Sequence, residues 1–208
     1  PETVINFQNQ TLNWKRILKC HRNGIRLSIR SIKSEECLSR AFKKKDVIRK
    51  IDFLVIGSGI AGISFALKAS RYGKVALISK SQLDDTNTAY AQGGIASVTY
   101  EPDTFDKHIK DTLIAGDGHC DIAAVEKVIR EAPEQIDELL KWGIDFDRDE
   151  QGKFDLHKEG GHSEFRILHH KDNTGYEIQQ SLIRKLRSDP NIEIYENHFA
   201  VEILTQHH

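Results

Sequence analysis

Three glycines supply the first chemistry this chain could perform. Gly57, Gly59 and Gly62 stand in G-x-G-x-x-G spacing, a pattern that lets backbone approach a pyrophosphate. Gly57 suits a tight turn, Gly59 leaves room for a phosphate, and Gly62 permits close helix–strand packing. Together with Ser58, Ile60 and Ala61 they open a helix, whose free N–H groups and dipole favour an anion. About 20 residues further on, this fingerprint places an Asp or Glu for a ribose hydroxyl. Ser79-Lys80 stands there instead. Ser79 can accept that hydrogen bond. Lys80 cannot, and suits phosphate or solvent. The missing acid weakens the case for NAD while leaving a dinucleotide.

A second polar set follows. Asn87, Thr88, Ala89, Tyr90, Ala91, Gln92, Gly93 and Gly94 combine backbone donors, adjacent glycines and three polar side chains. Such a loop can approach a planar ring and bond its edge, although its composition also suits an ordinary loop. Glu159-Gly160-Gly161-His162-Ser163 offers an acid and an imidazole. His169-His170 resembles a metal pair. Adjacent residues point apart in a strand, and neither Cys nor clustered carboxylates are expected nearby, so no metal is expected. Cys20, Cys37 and Cys120 are far apart, odd in number and free of CxxC pairs. That argues against a disulfide framework or a zinc site and for a reducing compartment. Cys120 is expected as a buried small residue.

The elements that must position these residues follow from periodicity. The apolar run from Asp52 to Ile56 reads as a strand. Ile63, Phe65, Ala66, Leu67 and Ala69 supply the apolar side of a helix ending near Gly73, and Val75–Ser79 reads as a second buried strand. This βαβ unit calls for parallel strands and a right-handed crossover. Helices are expected over 104–117, over 121–142 as one or two pieces with Pro133 opening the second, and over 174–187. A hairpin is expected over 148–158, a turn at Asp189-Pro190-Asn191, and strands at 192–195 and 200–204. The fold class is α/β, a Rossmann-like domain with a central parallel sheet, incomplete at its C-terminus.

Charge divides the chain. Residues 1–50 carry 13 Lys/Arg against 4 Asp/Glu, a balance of +9 in a chain of net charge −1. Residues 1–46 show no sustained period and read as a basic, disordered extension. Their composition fits a bland tail or an organelle-targeting segment. Residues 47–208 form the dinucleotide-binding part. No apolar run approaches the ~18 residues that span a bilayer, and the overall charge carries no nucleic-acid signature. The absence of Met and the strand-like ending lead us to expect part of a longer chain.

The pairing of Asp52–Gly62 with Asn87–Gly94 resembles the flavoprotein family of succinate dehydrogenase, fumarate reductase and L-aspartate oxidase, and within it the aspartate oxidases. Asp111–Gly116 with Cys120-Asp121, Glu159–Ser163 with Arg166–His169, and Asp172–Glu177 carry the same resemblance, which runs from about Ile51 to the end. It implies FAD contacts from Ser58 through Ala61, from Lys80, from Asn87 through Gly94, and from the backbone of Val201 toward the adenine. Respiratory members of the family attach FAD through a histidine where this chain has Asn87. An amide cannot replace that nucleophile, so the resemblance implies non-covalent FAD.

It further implies that Glu159 orients the substrate by pairing with its ammonium group, while His162 faces the active site or caps its loop. The implied activity is oxidation of L-aspartate to iminoaspartate with electrons passed to oxygen or fumarate. The product would be handed to quinolinate synthase for NAD synthesis, in the cytoplasm unless residues 1–46 direct an organelle. The family's catalytic arginine, capping domain and C-terminal helical domain are expected beyond His208, so no catalytic acid or base is assigned here. Two alternatives remain: a succinate dehydrogenase or fumarate reductase subunit, and an inactive nucleotide-binding fragment.

Overall fold

The computed structural model describes residues 3–8, 26–31 and 47–204. They fall into two units, one formed by residues 1–86 and 183–208 and the other by residues 87–182.

The first unit is built on the βαβ element. Strands β4 (Phe53–Ile56), β5 (Val75–Ile78) and β9 (Ile192–Tyr195) form a parallel sheet in the order β4-β5-β9. All four residues of β5 are buried, as a central strand of a parallel sheet requires. Ala76 and Ile78 pack with Ile51, Leu54, Tyr195 and Ala200. Helix α1 (Ile60–Ala69) packs on β4 and β5 and buries Ile63, Ala66, Leu67 and Ala69. It ends earlier than the sequence suggests, with Ser70 as its C-cap. Gly73 serves another purpose: a Cβ there would collide with the Asp52 carboxylate, which accepts the Lys74 N–H at 2.7 Å.

The basic segment departs from expectation. It contains β1 (Thr3–Gln8) and β2 (Arg26–Ser31), which form a four-stranded sheet with β3 (Val47–Ile51) and β10 (His198–Leu204), in the order β10-β2-β1-β3. Strand β1 runs parallel to β2 and antiparallel to β3. Strands β1 and β2 are each six residues long and carry few apolar positions, Leu27 and Ile29 in β2 for example, and the partners are distant in sequence. The rest of 1–46, including Cys20 and Cys37, lies outside the described residues.

In the second unit, α2 (Asn87–Tyr90) precedes β6 (Ile95–Ala96), and β6, β7 (Leu156–His157) and β8 (Ile167–Leu168) form an antiparallel sheet in the order β6-β8-β7. Helix α3 (Phe105–Ala115) is capped by Thr104, whose side chain accepts the Lys107 N–H. Helix α4 (Ile122–Lys141) is capped by Asp121 and runs unbroken through Pro133. The expected division there does not occur. Proline removes one hydrogen bond, but buried Ile129 precedes it and buried Ile136 and Leu139 follow it. Gly143, at φ 92°, stops the chain after the Trp142 C-cap. The expected hairpin shortens to a bridge between Arg148 and Phe154. Helix α5 (Thr174–Arg187) begins in this unit and continues into the first. Cys120 is half-buried rather than buried, its thiol 3.7 Å from the Thr112 carbonyl oxygen. Among the described residues, no helix is long and apolar enough to cross a membrane.

Candidate functional site

In the first unit the glycine turn has the geometry its spacing promises. Gly57 sits at φ 111°, a conformation costly for any residue with a Cβ, and donates its N–H to Ile78 O at 2.8 Å. A Cβ on Gly62 would collide with the carbonyl oxygen of Gly57, so helix and turn can approach this closely only through glycine. Gly59 is the N-cap of α1, extended, with no side-chain cap and no acidic residue in the first turn. A helix start without a side-chain cap, closed onto its turn through glycine, fits a pyrophosphate.

Ser79 is buried and its hydroxyl lies 3.0 Å from that of Ser58. It ties the turn to the end of β5, whereas the sequence pointed it toward a ribose. Lys80 is exposed. Val201 falls at a register shift of β10, where Ala200 and Glu202 pair with Ile29 and Ser28 and Val201 has no partner residue. A bulge of this kind leaves the extra residue outside the ladder, which suits a backbone contact to a ligand.

In the second unit the polar loop begins as the helical turn α2 rather than as irregular chain. Tyr90 is 69% exposed, and Ala91, Gln92 and Gly93 are exposed as well. The loop is held from behind. Gly175 donates its N–H to Ala91 O at 3.0 Å, and a Cβ on Gly175 would collide with the Thr88 and Ala91 carbonyl oxygens. This contact explains the glycine in Asn173-Thr174-Gly175. Glu159 Oε1 lies 4.0 Å from the position a Cβ would take on Gly93. The candidate substrate-orienting acid and the Asn87–Gly94 segment are therefore neighbours, although 66 positions separate Gly93 from Glu159.

The segment that carries Glu159 joins β7 to β8 and is anchored at its far end. Asp111 Oδ2 accepts from both the N–H and the hydroxyl of Ser163, each at 2.8 Å. Arg166, with no solvent exposure, donates from Nη1 to the same oxygen at 2.7 Å. Its remaining guanidinium edge pairs with Asp103, Nε to Oδ2 at 2.8 Å and Nη2 to Oδ1 at 2.7 Å. The pKa of Asp111 is pushed up by burial. The hydrogen bonds from Ser163 and Arg166 outweigh that and bring it from 3.8 down to about 2.

His162 is half-buried, with Nδ1 3.3 Å from Arg166 Nη1 and its ring 5.7 Å from that of His108. It belongs to this anchor. His108 is held below its ordinary pKa by burial and by the Arg166 and His162 charges, against Asp103 and Asp111. The sequence supplied Asp111 and Arg166 as motif members without roles and did not single out Asp103.

His169 and His170 also have company that the sequence hides. His169 Nδ1 lies 3.3 Å and His170 Nδ1 3.4 Å from the Asp147 carboxylate, and His169 Nε2 lies 3.8 Å from Asp155 Oδ2. The expectation of no carboxylates nearby was incorrect.

Three kinds of similarity accompany this geometry. The FAD binding domain family matches residues 52–208. A chloroplastic L-aspartate oxidase of Oryza sativa subsp. japonica is 43% identical over 160 residues, covering 77% of this chain and 25% of that protein. The L-aspartate oxidase of Vibrio cholerae is 44% identical over 160 residues, covering 74% of this chain and 30% of that protein. Among solved structures, a quinol–fumarate reductase with menaquinol molecules superposes with a TM-score of 0.70 at 30% identity, covering 75% of this chain and 28% of that one. An E. coli quinol fumarate reductase does so at 0.67 and 30%, covering 72% and 26%. The chain thus spans between a quarter and a third of the length of these curated relatives.

Proposed function

Because this chain belongs to the FAD-binding flavoprotein family of fumarate reductase and L-aspartate oxidase, we propose that it is the cofactor-binding part of an enzyme that oxidises L-aspartate to iminoaspartate. The single observation that carries the choice of substrate is the placement of Glu159 beside Gly93 of the ring-binding loop. Identity of 39–45% to aspartate oxidases, against 30% to the fumarate reductase structures, agrees with it.

FAD is the cofactor, and when bound it supplies the hydride acceptor that no side chain of this chain offers. The turn Gly57–Gly62 holds its pyrophosphate through the N-terminus of α1, with Lys80 as a further phosphate contact. The Val201 backbone meets the adenine end. Asn87 through Gly94 bind the ring without a covalent link, since Asn87 offers no imidazole. Glu159 pairs with the ammonium group on the substrate's α-carbon and presents that carbon for oxidation. Succinate has no ammonium group, so it would leave the Glu159 charge uncompensated. Arg166 does not bind the substrate carboxylates, because Asp103 and Asp111 occupy its buried guanidinium.

Electrons pass on to oxygen or fumarate, and iminoaspartate goes on to quinolinate synthase and NAD. A cytoplasmic location accompanies this reading; the chloroplastic relatives make residues 1–46 the segment to test for organelle import. The likeness to fumarate reductases favours a second reading, a succinate- or fumarate-converting subunit. The full-length protein separates the two. Peroxide formed from L-aspartate and not from succinate is the expected result, and oxidation of succinate alone would favour the second reading.

A further inference from the structure

We propose that Asp155, His157 and His169 bind a divalent cation of the zinc class at the base of the segment that carries Glu159. One ligand atom from each of the three lies within 4.8 Å of the other two. The residues come from three places around one strand pair. Asp155 directly precedes β7, His157 ends it, and His169 directly follows β8. Strands β7 and β8 pair through Leu156–Leu168 and His157–Ile167.

The independent observation is His169 itself. It is 7% exposed, and neither ring nitrogen makes a hydrogen bond. A buried imidazole left this way is costly and calls for a missing partner, an ion among the candidates. Its two nitrogens are differently placed. Nε2 faces Asp155, while Nδ1 lies 3.3 Å from Asp147 Oδ2. A cation on Nε2 would leave Nδ1 beside the Asp147 carboxylate at 3.3 Å, where a small turn of the ring would give the carboxylate–histidine–metal arrangement that fixes tautomer and ring orientation. The His157 ring stacks on that of His169 at 3.6 Å; exposed His157 must turn out of this stack for its in-plane nitrogen to reach the same ion.

Two imidazoles and a carboxylate select zinc or its neighbours over calcium and magnesium, which take oxygen donors. Tetrahedral zinc with bonds of 2.0–2.1 Å needs ligand atoms about 3.3 Å apart. The set, whose atoms lie within 4.8 Å of one another, must therefore draw together on binding, the His169 Nε2–Asp155 Oδ2 pair from 3.8 Å. Asp155 and His157 are exposed and have the rotamer freedom to do so, while His169 stays fixed. The fourth position falls to water. The cation would cross-link β7 to β8 where the segment containing Glu159 and Ser163 leaves and returns. Its binding does not depend on which substrate the enzyme oxidises.

The test is zinc binding by the full-length protein after stripping with a chelator, followed by metal analysis and by the visible absorption of Co(II) as a zinc substitute. One equivalent per chain is expected, with a Kd weakened at least tenfold in both Asp155→Asn and His157→Asn. Zinc should also raise the Tm of the wild type and not that of Asp155→Asn. These two side chains are exposed, so the variants fold even if His169→Gln does not. Absence of stoichiometric binding, or wild-type affinity in either exposed-residue variant, would overturn the proposal. Adventitious uptake by other histidines, such as His207-His208, would survive both substitutions and count against it.

Discussion

Arg166 and Asp103 face each other with both ends of the guanidinium engaged, at 2.8 and 2.7 Å, and neither side chain is more than 2% exposed. A pair so dry is held by geometry, because desolvation consumes most of the Coulomb gain. Removing one partner strands the other. Arg166→Met is expected to destabilise the protein by about 3–5 kcal/mol, measured by urea unfolding. A loss below about 1 kcal/mol would contradict the burial of this pair.

Acid should weaken the same anchor in two stages. Asp111 has a folded pKa of about 2, below its ordinary 3.8. Its contribution is complete above about pH 4 and lost as pH falls through about 2. His108 is held below 6.5, so the unfolded chain takes up its proton first. That contribution is full above pH 6.5 and declines as pH drops below it. Stability against pH should therefore fall on the acid side in both ranges. Asp111→Asn should flatten the lower limb and His108→Gln the upper, and unchanged slopes would refute the assignments.

Gly62→Ala and Gly175→Ala address the two close approaches. Each adds a Cβ that meets backbone oxygen, Gly57 O in one case and Thr88 O and Ala91 O in the other. Overpacking of this kind costs about 1–3 kcal/mol. The purified variants should contain less FAD than wild type, read from the 450 nm absorbance per chain. Full flavin content in both would mean that neither glycine shapes the cofactor site.

How much of this the sequence disclosed follows from range. The run β4–α1–β5 was legible because strand, glycine turn and helix lie within about thirty residues and each leaves a local period. Helix α5 spans the 174–187 its period predicts for the same reason. Asp103 and Arg166 are 63 positions apart, and nothing in their neighbourhoods announces a partner. Pro133 misled because a local helix-breaking preference lost to burial on both sides. The β1 and β2 strands exist through pairing alone, and Asp147 and Asp155 join His169 only once β7 lies against β8.

Glu159→Gln in the full-length enzyme should lower kcat/KM for L-aspartate by about 30-fold, or about 2 kcal/mol, while leaving any residual action on succinate unchanged. Parallel losses on both substrates would show that Glu159 supports the loop and does not read the ammonium group.

Acid precipitation of the holoenzyme should leave a colourless pellet and a yellow supernatant, as Asn87 offers no imidazole for a covalent bond. Flavin fluorescence that stays with the protein band on a denaturing gel would refute this.

The order in which the chain is made bears on strand β5. Its neighbour β4 precedes it closely, but Ile192, which pairs with Val75, is synthesised more than a hundred residues later. At 5–20 residues per second, the ribosome needs roughly 6–20 s to deliver β9. Throughout that interval the strand whose four residues are all buried in the finished sheet presents an open edge. A nascent chain in this condition is a natural client for ribosome-associated chaperones, and a translational pause after Ile78 would prolong the exposure.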